Sequence, residues 1–331
     1  MSSSDSYVES SPQGYISHLK FANKSHTFAA IAWDCTLSIY DGDARKLKLA
    51  IKTDIPFTQI AFNSDDTLLF GGGIDGSVYV IDLQREEVSI VGRHSVGISA
   101  VVFNAQTNSI YTSDWAGVIQ QWSCDDASSI SLLKKTDLGS KVLTFHTKNQ
   151  HLVAALVNNL IAVLDATNIE AKPKIRPSIL AHQTRSVCCH PDQDLFIHGS
   201  VEGRVAVMPM AAEQMDQGFG FKAHRQQVDG ATCLCPVNAL AYHPVLKTFA
   251  TAGSDGVIAI WQGETQKRVG ITPAYHTAVS SLDISADGEL VCVALSYGDE
   301  LGAKAERPVD AIVVKRWADS FAKTKTKDKK K

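Results

Sequence analysis

One phrase recurs along this chain of 331 residues at a nearly constant interval. A β-rich run meets a turn, usually with an acidic residue, and six positions later a second run reaches a large apolar side chain. Asp34 leads to Tyr40, Asp75 to Ile81, Glu202 to Met208 and Asp255 to Trp261. Weaker copies run from Ala116 to Trp122 and from Asn158 to Leu164, and SSLDISADGELVCVALS followed by AIVVKRW closes the series as a seventh unit. The steps from Tyr40 to Ile81, Trp122, Leu164, Met208 and Trp261 are 41, 41, 42, 44 and 53 residues. A period just above forty, filled with short strands and turns and almost free of helical spacing, points to a β-propeller whose blades are four-stranded sheets. One such sheet cannot bury both its faces alone, whereas in a ring each blade covers its neighbour. The fold expected is therefore all-β, a seven-bladed propeller forming one domain over residues 1–321, although length alone would suggest two domains.

The repeat resembles WD40 repeats in GSDGVIAIW (Gly253 to Trp261) and in the histidines His94, His182, His224 and His276 that stand ahead of successive blades. These histidines are expected to partner turn aspartates and strand hydroxyls, since buried polar groups need partners, and not to act as general bases. Too little apolar sequence follows Trp317 to form a last outer strand. The segment near Ser6 to Glu9 is expected to supply it and to close the ring non-covalently.

Composition and charge narrow the function. The N-terminus MSSSDSYVESSP has neither a basic nor an apolar leader region, and no run of about 18 apolar residues occurs, so neither secretion nor membrane spanning is expected. Seven cysteines form an odd set without the spacing of a disulfide framework, which fits the reducing interior of cytosol or nucleus. The stretch Ala322 to Lys331 holds six lysines and one aspartate, so this tail carries +5 and the rest of the chain −8 against a total of −3. The mildly acidic body lacks the domain-wide positive field of a general nucleic-acid binder. The tail, residues 322–331, reads as a disordered, solvated end, with nuclear targeting or electrostatic contact as sharper alternatives.

No catalytic constellation is visible, so no enzyme activity, metal or cofactor is expected. Gly71 to Gly73 precede IDG and not a lysine-led helix, which makes them packing residues and not a phosphate loop. Cys233 and Cys235 near His243 lack the second cysteine pair of a zinc site. The working surface is then an edge of the ring. In an antiparallel blade of strands a to d, the b–c turn and the connection from d to the next a lie at the same end. Trp33 and Trp115 fall at the same position of b–c turns in blades 1 and 3, Arg204 follows the b–c turn of blade 5, and Arg225 lies in the connection into blade 6. All four map to one face. Each tryptophan either covers the channel mouth or a neighbouring blade, or stands as a binding anchor, a role in which Trp and Arg predominate. Each arginine either pairs with a local acid such as Glu202 or recognises carboxylate or phosphate through its planar fork.

Several strings are more specific. SVEGRVAV (Ser200 to Val207), GFKAHR (Gly220 to Arg225) and CPVNALAYHPVLKTFATAGSDGVIAIW (Cys235 to Trp261) resemble the Bub-family WD40 proteins of the spindle-assembly checkpoint and their paralogue, the messenger-RNA export propeller of the nuclear pore. The likeness is strongest in blades 5 and 6 and weak in blade 4. AWDCTLSIYD and the short N-terminus favour the checkpoint branch. The resemblance implies a nuclear and kinetochore adaptor, with a cytoplasmic pool. Its implied partners are the GLEBS motifs of the Bub-family checkpoint kinase and pseudokinase, and phosphorylated MELT-type repeats of a kinetochore scaffold. It also implies that Trp33, Trp115, Arg204 and Arg225 contact such peptides. The alternatives are a nucleoporin GLEBS partner in RNA export, or a scaffold or ubiquitin-ligase substrate receptor. One departure stands out: in SDWAGV, Asp114 comes two residues before the usual acidic slot, so a reorganised turn is expected in blade 3 and Trp33 is expected to be the firmer anchor.

Overall fold

The computed structural model describes residues 6–126, 129–263, 265–298 and 307–318. Seven of its antiparallel sheets form the blades, in sequence order: blade 1 over residues 16–52, blade 2 over 57–93, blade 3 over 98–137, blade 4 over 142–177, blade 5 over 184–222, blade 6 over 237–271 and blade 7 over 279–316. Blades 1 to 6 are four-stranded meanders, a–b–c–d from the channel outward, and blade 7 has three named strands. Its fourth position is taken by the N-terminal segment. Tyr7 bridges Val313 in antiparallel fashion, the Val8 N–H donates to the Ile312 carbonyl (3.0 Å) and the Val314 N–H to the Ser6 carbonyl (2.9 Å). Ring closure thus occurs where the sequence placed it, through a short bridge. Deleting residues 1–12 is expected to lower the melting temperature, read by circular dichroism, because it exposes the outer edge of blade 7 and removes the buried Val8. The lysine-rich tail lies outside the described residues.

The core is distributed. Among the described residues, seven buried apolar clusters each fill one seam between adjacent blades, from Phe57, Ile60 and Leu69 against Ile31 and Leu37 at the first seam to Ile16 and Phe28 against Cys292 and Ile312 at the last. Gly71 to Gly73 lie within strand b of blade 2 (Leu68–Gly73), and a Cβ on Gly72 would stand 2.4 Å from Ile98 Cγ2. This glycine permits close approach of blades 2 and 3.

Strand a of one blade makes few backbone bonds to strand a of the next, so inward-facing side chains satisfy the free amides. Gln59 Oε1 accepts from the Val101 N–H (3.2 Å), Asp283 Oδ2 from Phe21 (2.8 Å), His18 Nδ1 from Ile60 (3.4 Å) and His146 Nδ1 from Cys189 (3.2 Å). Accepting at Nδ1 fixes both imidazoles as neutral. Burial pushes the His18 and His146 pKa values down to about 3, with nearby lysine charge acting the same way, and burial does the same to His198, helped by Arg176. Groups that bind a proton only when unfolded stabilise the fold above their ordinary value near pH 6.5 and lose that contribution as the pH falls toward 3. Acid unfolding is therefore expected well above pH 3. A urea midpoint constant from about pH 7 to pH 4 would contradict it.

Two seams carry a polar chain that locks a turn to a tryptophan. In blade 3, the Trp122 indole N–H donates to Thr112 Oγ1 (2.9 Å), which lies 2.7 Å from His94 Nε2, while His94 Nδ1 lies 3.0 Å from Asp114 Oδ2. Blade 6 repeats it with Trp261, Thr251, His224 and Asp255, at 3.0, 2.8 and 2.9 Å. The expectation for the histidines holds for His94 and His224 only. His276 is exposed and its Nε2 reaches the Val309 carbonyl, and His182 is exposed with Nε2 3.8 Å from Glu202. Where blade 6 has Trp261 and Thr251, blade 5 has Met208 and His198 and blade 7 has Lys315 and Val293, so neither blade offers the indole donor or the hydroxyl of the relay.

The reorganised turn expected in blade 3 is absent. The Trp115 N–H donates to the Gly97 carbonyl (3.2 Å) as the Trp33 N–H does to Tyr15 (2.9 Å), and both turns close by an i to i+3 bond, Gly117 to Asp114 and Cys35 to Ala32. Asp114 supplies its carboxylate from two positions upstream: Oδ1 caps the Val118 amide (2.9 Å), the equivalent of Thr36 capped by Asp34 (2.9 Å).

Candidate peptide-binding face

The b–c turns and the d-to-a connections share one edge of the ring, and this edge carries the candidate residues. Trp33, in the turn after strand b of blade 1 (Thr27–Ala32), is 49% exposed, and Trp115, after strand b of blade 3 (Ser109–Asp114), is 38% exposed. The difference has a local cause. A Cβ on Gly97 would lie 2.7 Å from Trp115 Cζ3, so the Trp115 ring rests on the connection into blade 3. Trp33 instead forms the wall of an open cleft at the channel mouth, together with Gln13, Tyr15, Asp34, Arg185 and Arg307. Neither indole is buried, so each leaves apolar surface for a partner.

Arg204 opens strand c of blade 5 (Arg204–Pro209), and Arg225 opens a separate hairpin, Arg225–Val228 with Ala231–Leu234, inserted between blades 5 and 6. That insertion accounts for the long step of 53 residues in the repeat. The two arginines are joined through their neighbours, because the His224 N–H donates to the Gly203 carbonyl (3.1 Å). Gly203 has φ +70°, and a Cβ there would stand 2.1 Å from the His224 carbonyl oxygen, so the contact requires glycine. Arg204 has its side chain 31% exposed, with Nε 4.0 Å from Glu202 Oε1. This is a loose pair. Glu202 is 13% exposed and that oxygen has no hydrogen-bond partner, so the carboxylate steers the guanidinium without engaging its fork. Arg225 Nε is likewise buried without a partner.

The structure therefore brings Arg204 and Arg225 together and sets Trp33 and Trp115 apart on other blades of the same edge. It also adds a charge that sequence reasoning missed. Arg185 lies in strand a of blade 5 (Thr184–Cys189) at a β-bulge between Thr184 and Ser186, and it lines both the Trp33 cleft and the channel. Equivalent bulges interrupt the first strand of other blades, leaving Ser17, Thr58, Leu143, Asn238 and Ser280 at the same step. Superimposing the repeats isolates Arg185 as the charged member of this set. Arg307 had no such signal, since it falls outside the repeated phrase; its Nη2 donates to the Tyr297 carbonyl (2.7 Å).

Two tryptophans with free apolar area and three arginines with open donors on one rigid edge suit an extended acidic ligand. Comparison with known proteins agrees with this architecture. The family model "WD domain, G-beta repeat" matches residues 52–82 and 221–262. The solved structure of U3-55K superimposes with a TM-score of 0.79 at 13% identity, covering 95% of this chain and 99% of that one, which speaks for the fold alone. The poly(A)+ RNA export protein of Schizosaccharomyces pombe is 28% identical over 299 residues, 88% of this chain and 84% of that protein. The spindle assembly checkpoint protein bub3 of the same organism is 28% identical over 304 residues, 91% and 93% of the two chains. Mitotic checkpoint protein BUB3.1 of Arabidopsis thaliana is 31% identical over 323 residues, 96% and 94% of the two chains. With that identity sustained around the whole ring, the chain belongs to the Bub3 family of mitotic checkpoint WD40 propellers.

Proposed function

We propose that this propeller is a non-enzymatic adaptor of the spindle-assembly checkpoint that holds GLEBS-type peptides of the Bub-family checkpoint kinase and pseudokinase across the Trp33–Arg204 face. The observation that carries the reading is the presence of two half-exposed tryptophans and an under-partnered arginine pair on one edge of a rigid ring. A buried tryptophan removes about 150–250 Å² of surface from water, and each arginine supplies charge-assisted hydrogen bonds to carboxylate or phosphate. The loose 4.0 Å contact between Arg204 and Glu202 costs little to exchange for a ligand carboxylate. In this reading the loaded adaptor is recruited to phosphorylated MELT-type repeats of the kinetochore scaffold and resides in the nucleus and at kinetochores, with a cytoplasmic pool.

The RNA-export relative supports a second reading, in which the same face binds a nucleoporin GLEBS motif. Affinity capture from dividing cells separates the two. Checkpoint kinases and kinetochore localisation before anaphase are expected, and recovery of nuclear-pore proteins with no checkpoint kinase would transfer the protein to the export branch.

A further inference from the structure

The first and last blades meet on the opposite edge of the ring, where a–b and c–d turns lie. His26, in the a–b turn of blade 1, stands at this joint with both ring nitrogens on carboxylates. Nδ1 is 2.8 Å from Asp43 Oδ2, in the c–d turn of the same blade, and Nε2 is 2.7 Å from Asp287 Oδ2, in the a–b turn of blade 7. The approach is built into the backbone. Gly42 donates its N–H to the His26 carbonyl (3.0 Å), and a Cβ on Gly42 would fall 2.4 Å from that oxygen and 3.3 Å from Leu290 of blade 7.

Ionised carboxylates only accept hydrogen bonds, and a neutral imidazole has one donor. A neutral His26 would turn a lone pair toward one of the two aspartates. The geometry satisfies both contacts only when both nitrogens carry hydrogen. The surrounding charge agrees: among the described residues neither Asp43 nor Asp287 pairs with a lysine or arginine, Glu289 is directed to Arg316 (3.8 Å), and Lys48 is committed to Asp41 (3.2 Å). Lys24, on the histidine's own turn, offers its backbone N–H to Asp66 of blade 2. Asp287 is in turn fixed by the Ser285 hydroxyl (2.6 Å) and the Glu289 amide (3.0 Å), so the acceptor does not swing away.

We propose that His26 is a proton-operated clasp, which as an imidazolium ties blade 1 to blade 7 at the closing joint of the ring and releases that tie on losing its proton. The same joint holds the N-terminal segment, since the seam cluster includes Val8 and Leu290 together. Partial burial works against the charge, but the two aspartates outweigh it and hold the His26 pKa above its ordinary value near 6.5. The sign follows: the tie is complete below about pH 6.5 and fades as pH rises through the higher folded-state value, opposite to the buried neutral histidines. Closure of the ring then loosens toward the alkaline side of neutrality.

The test uses the full chain, with His26→Gln and Asp43→Asn as variants. Imidazole NMR is expected to place the wild-type His26 pKa above 6.5 and to show it falling in Asp43→Asn. Amide exchange at Val8 and Val314 is expected to run several-fold faster in His26→Gln than in wild type at about pH 6, with the two proteins converging as the pH rises. A His26 that titrates at or below 6.5, or exchange at Val8 and Val314 that is identical in wild type and variant at the acid end, overturns the proposal.

Discussion

Asp114→Ala is expected to cost about 2–5 kcal/mol of folding stability, the sum for buried donors left unpaired at about 1–3 kcal/mol each. Asp114 is fully buried, and its Oδ1 accepts the amides of Ala116 (2.9 Å), Gly117 (2.8 Å) and Val118 (2.9 Å), while Oδ2 faces His94. Removal takes the side-chain acceptor from four donors; Gly117 keeps the Asp114 carbonyl (3.3 Å) and Ala116 is exposed to water, which leaves the Val118 amide and His94 Nδ1, each worth about 1–3 kcal/mol when left buried and unpaired. Burial lowers the pKa of His94 although Asp114 pulls the other way, so the lost partner is not replaced by protonation. The relay onward to Thr112 and Trp122 then loses its anchor. Urea denaturation measures the loss, and Asp34→Ala is the control: that carboxylate caps a single amide, Thr36, and its removal should cost about 1 kcal/mol. Equal losses in the two variants would refute the idea that the displaced aspartate of blade 3 took on the larger structural task.

Trp33→Ala and Arg204→Glu are expected to weaken GLEBS-peptide binding by at least about 30-fold each, corresponding to a hot-spot loss of about 2 kcal/mol or more. Neither should move the melting temperature by more than a few degrees, because Trp33 is half exposed and the Arg204 pair is loose. Trp115→Ala should weaken binding less than Trp33→Ala, since part of its ring already rests on Gly97 and has less area left to bury. Arg204→Glu also places a second carboxylate beside Glu202, so its effect on an acidic ligand is repulsive as well as subtractive. Calorimetry that finds unchanged affinity in both Trp33→Ala and Arg204→Glu sinks the assignment of this face.

How much of this was legible in the sequence differs from residue to residue. The blade boundaries and the common face of Trp33, Trp115, Arg204 and Arg225 follow from period and strand alternation, which are local properties of an antiparallel meander. The role of His224 was readable because Asp255, Thr251 and Trp261 occupy the usual positions. His182 and His276 keep the same place in the repeat, yet Glu202 lies 3.8 Å away in one case and a backbone carbonyl is the partner in the other. Periodicity fixes where a side chain starts, and only the packed neighbours decide what it meets.

Arg185 and His26 show the limit more sharply. A bulge of one residue redirects Arg185 into the channel mouth, and a bulge depends on pairing between strands, not on the strand's own residues. His26 and Asp287 are separated by 261 positions, and nothing in either turn announces the other. The sequence by itself determined a seven-bladed ring, its closure by the N-terminal segment and the edge on which its exposed tryptophans and arginines sit, because repeating units leave few ways to bury two-faced sheets. The tertiary structure alone decided which charges share a cleft and which turns are clasped together, because those contacts form between blades whose residues are distant in the chain and meet only once the ring has closed.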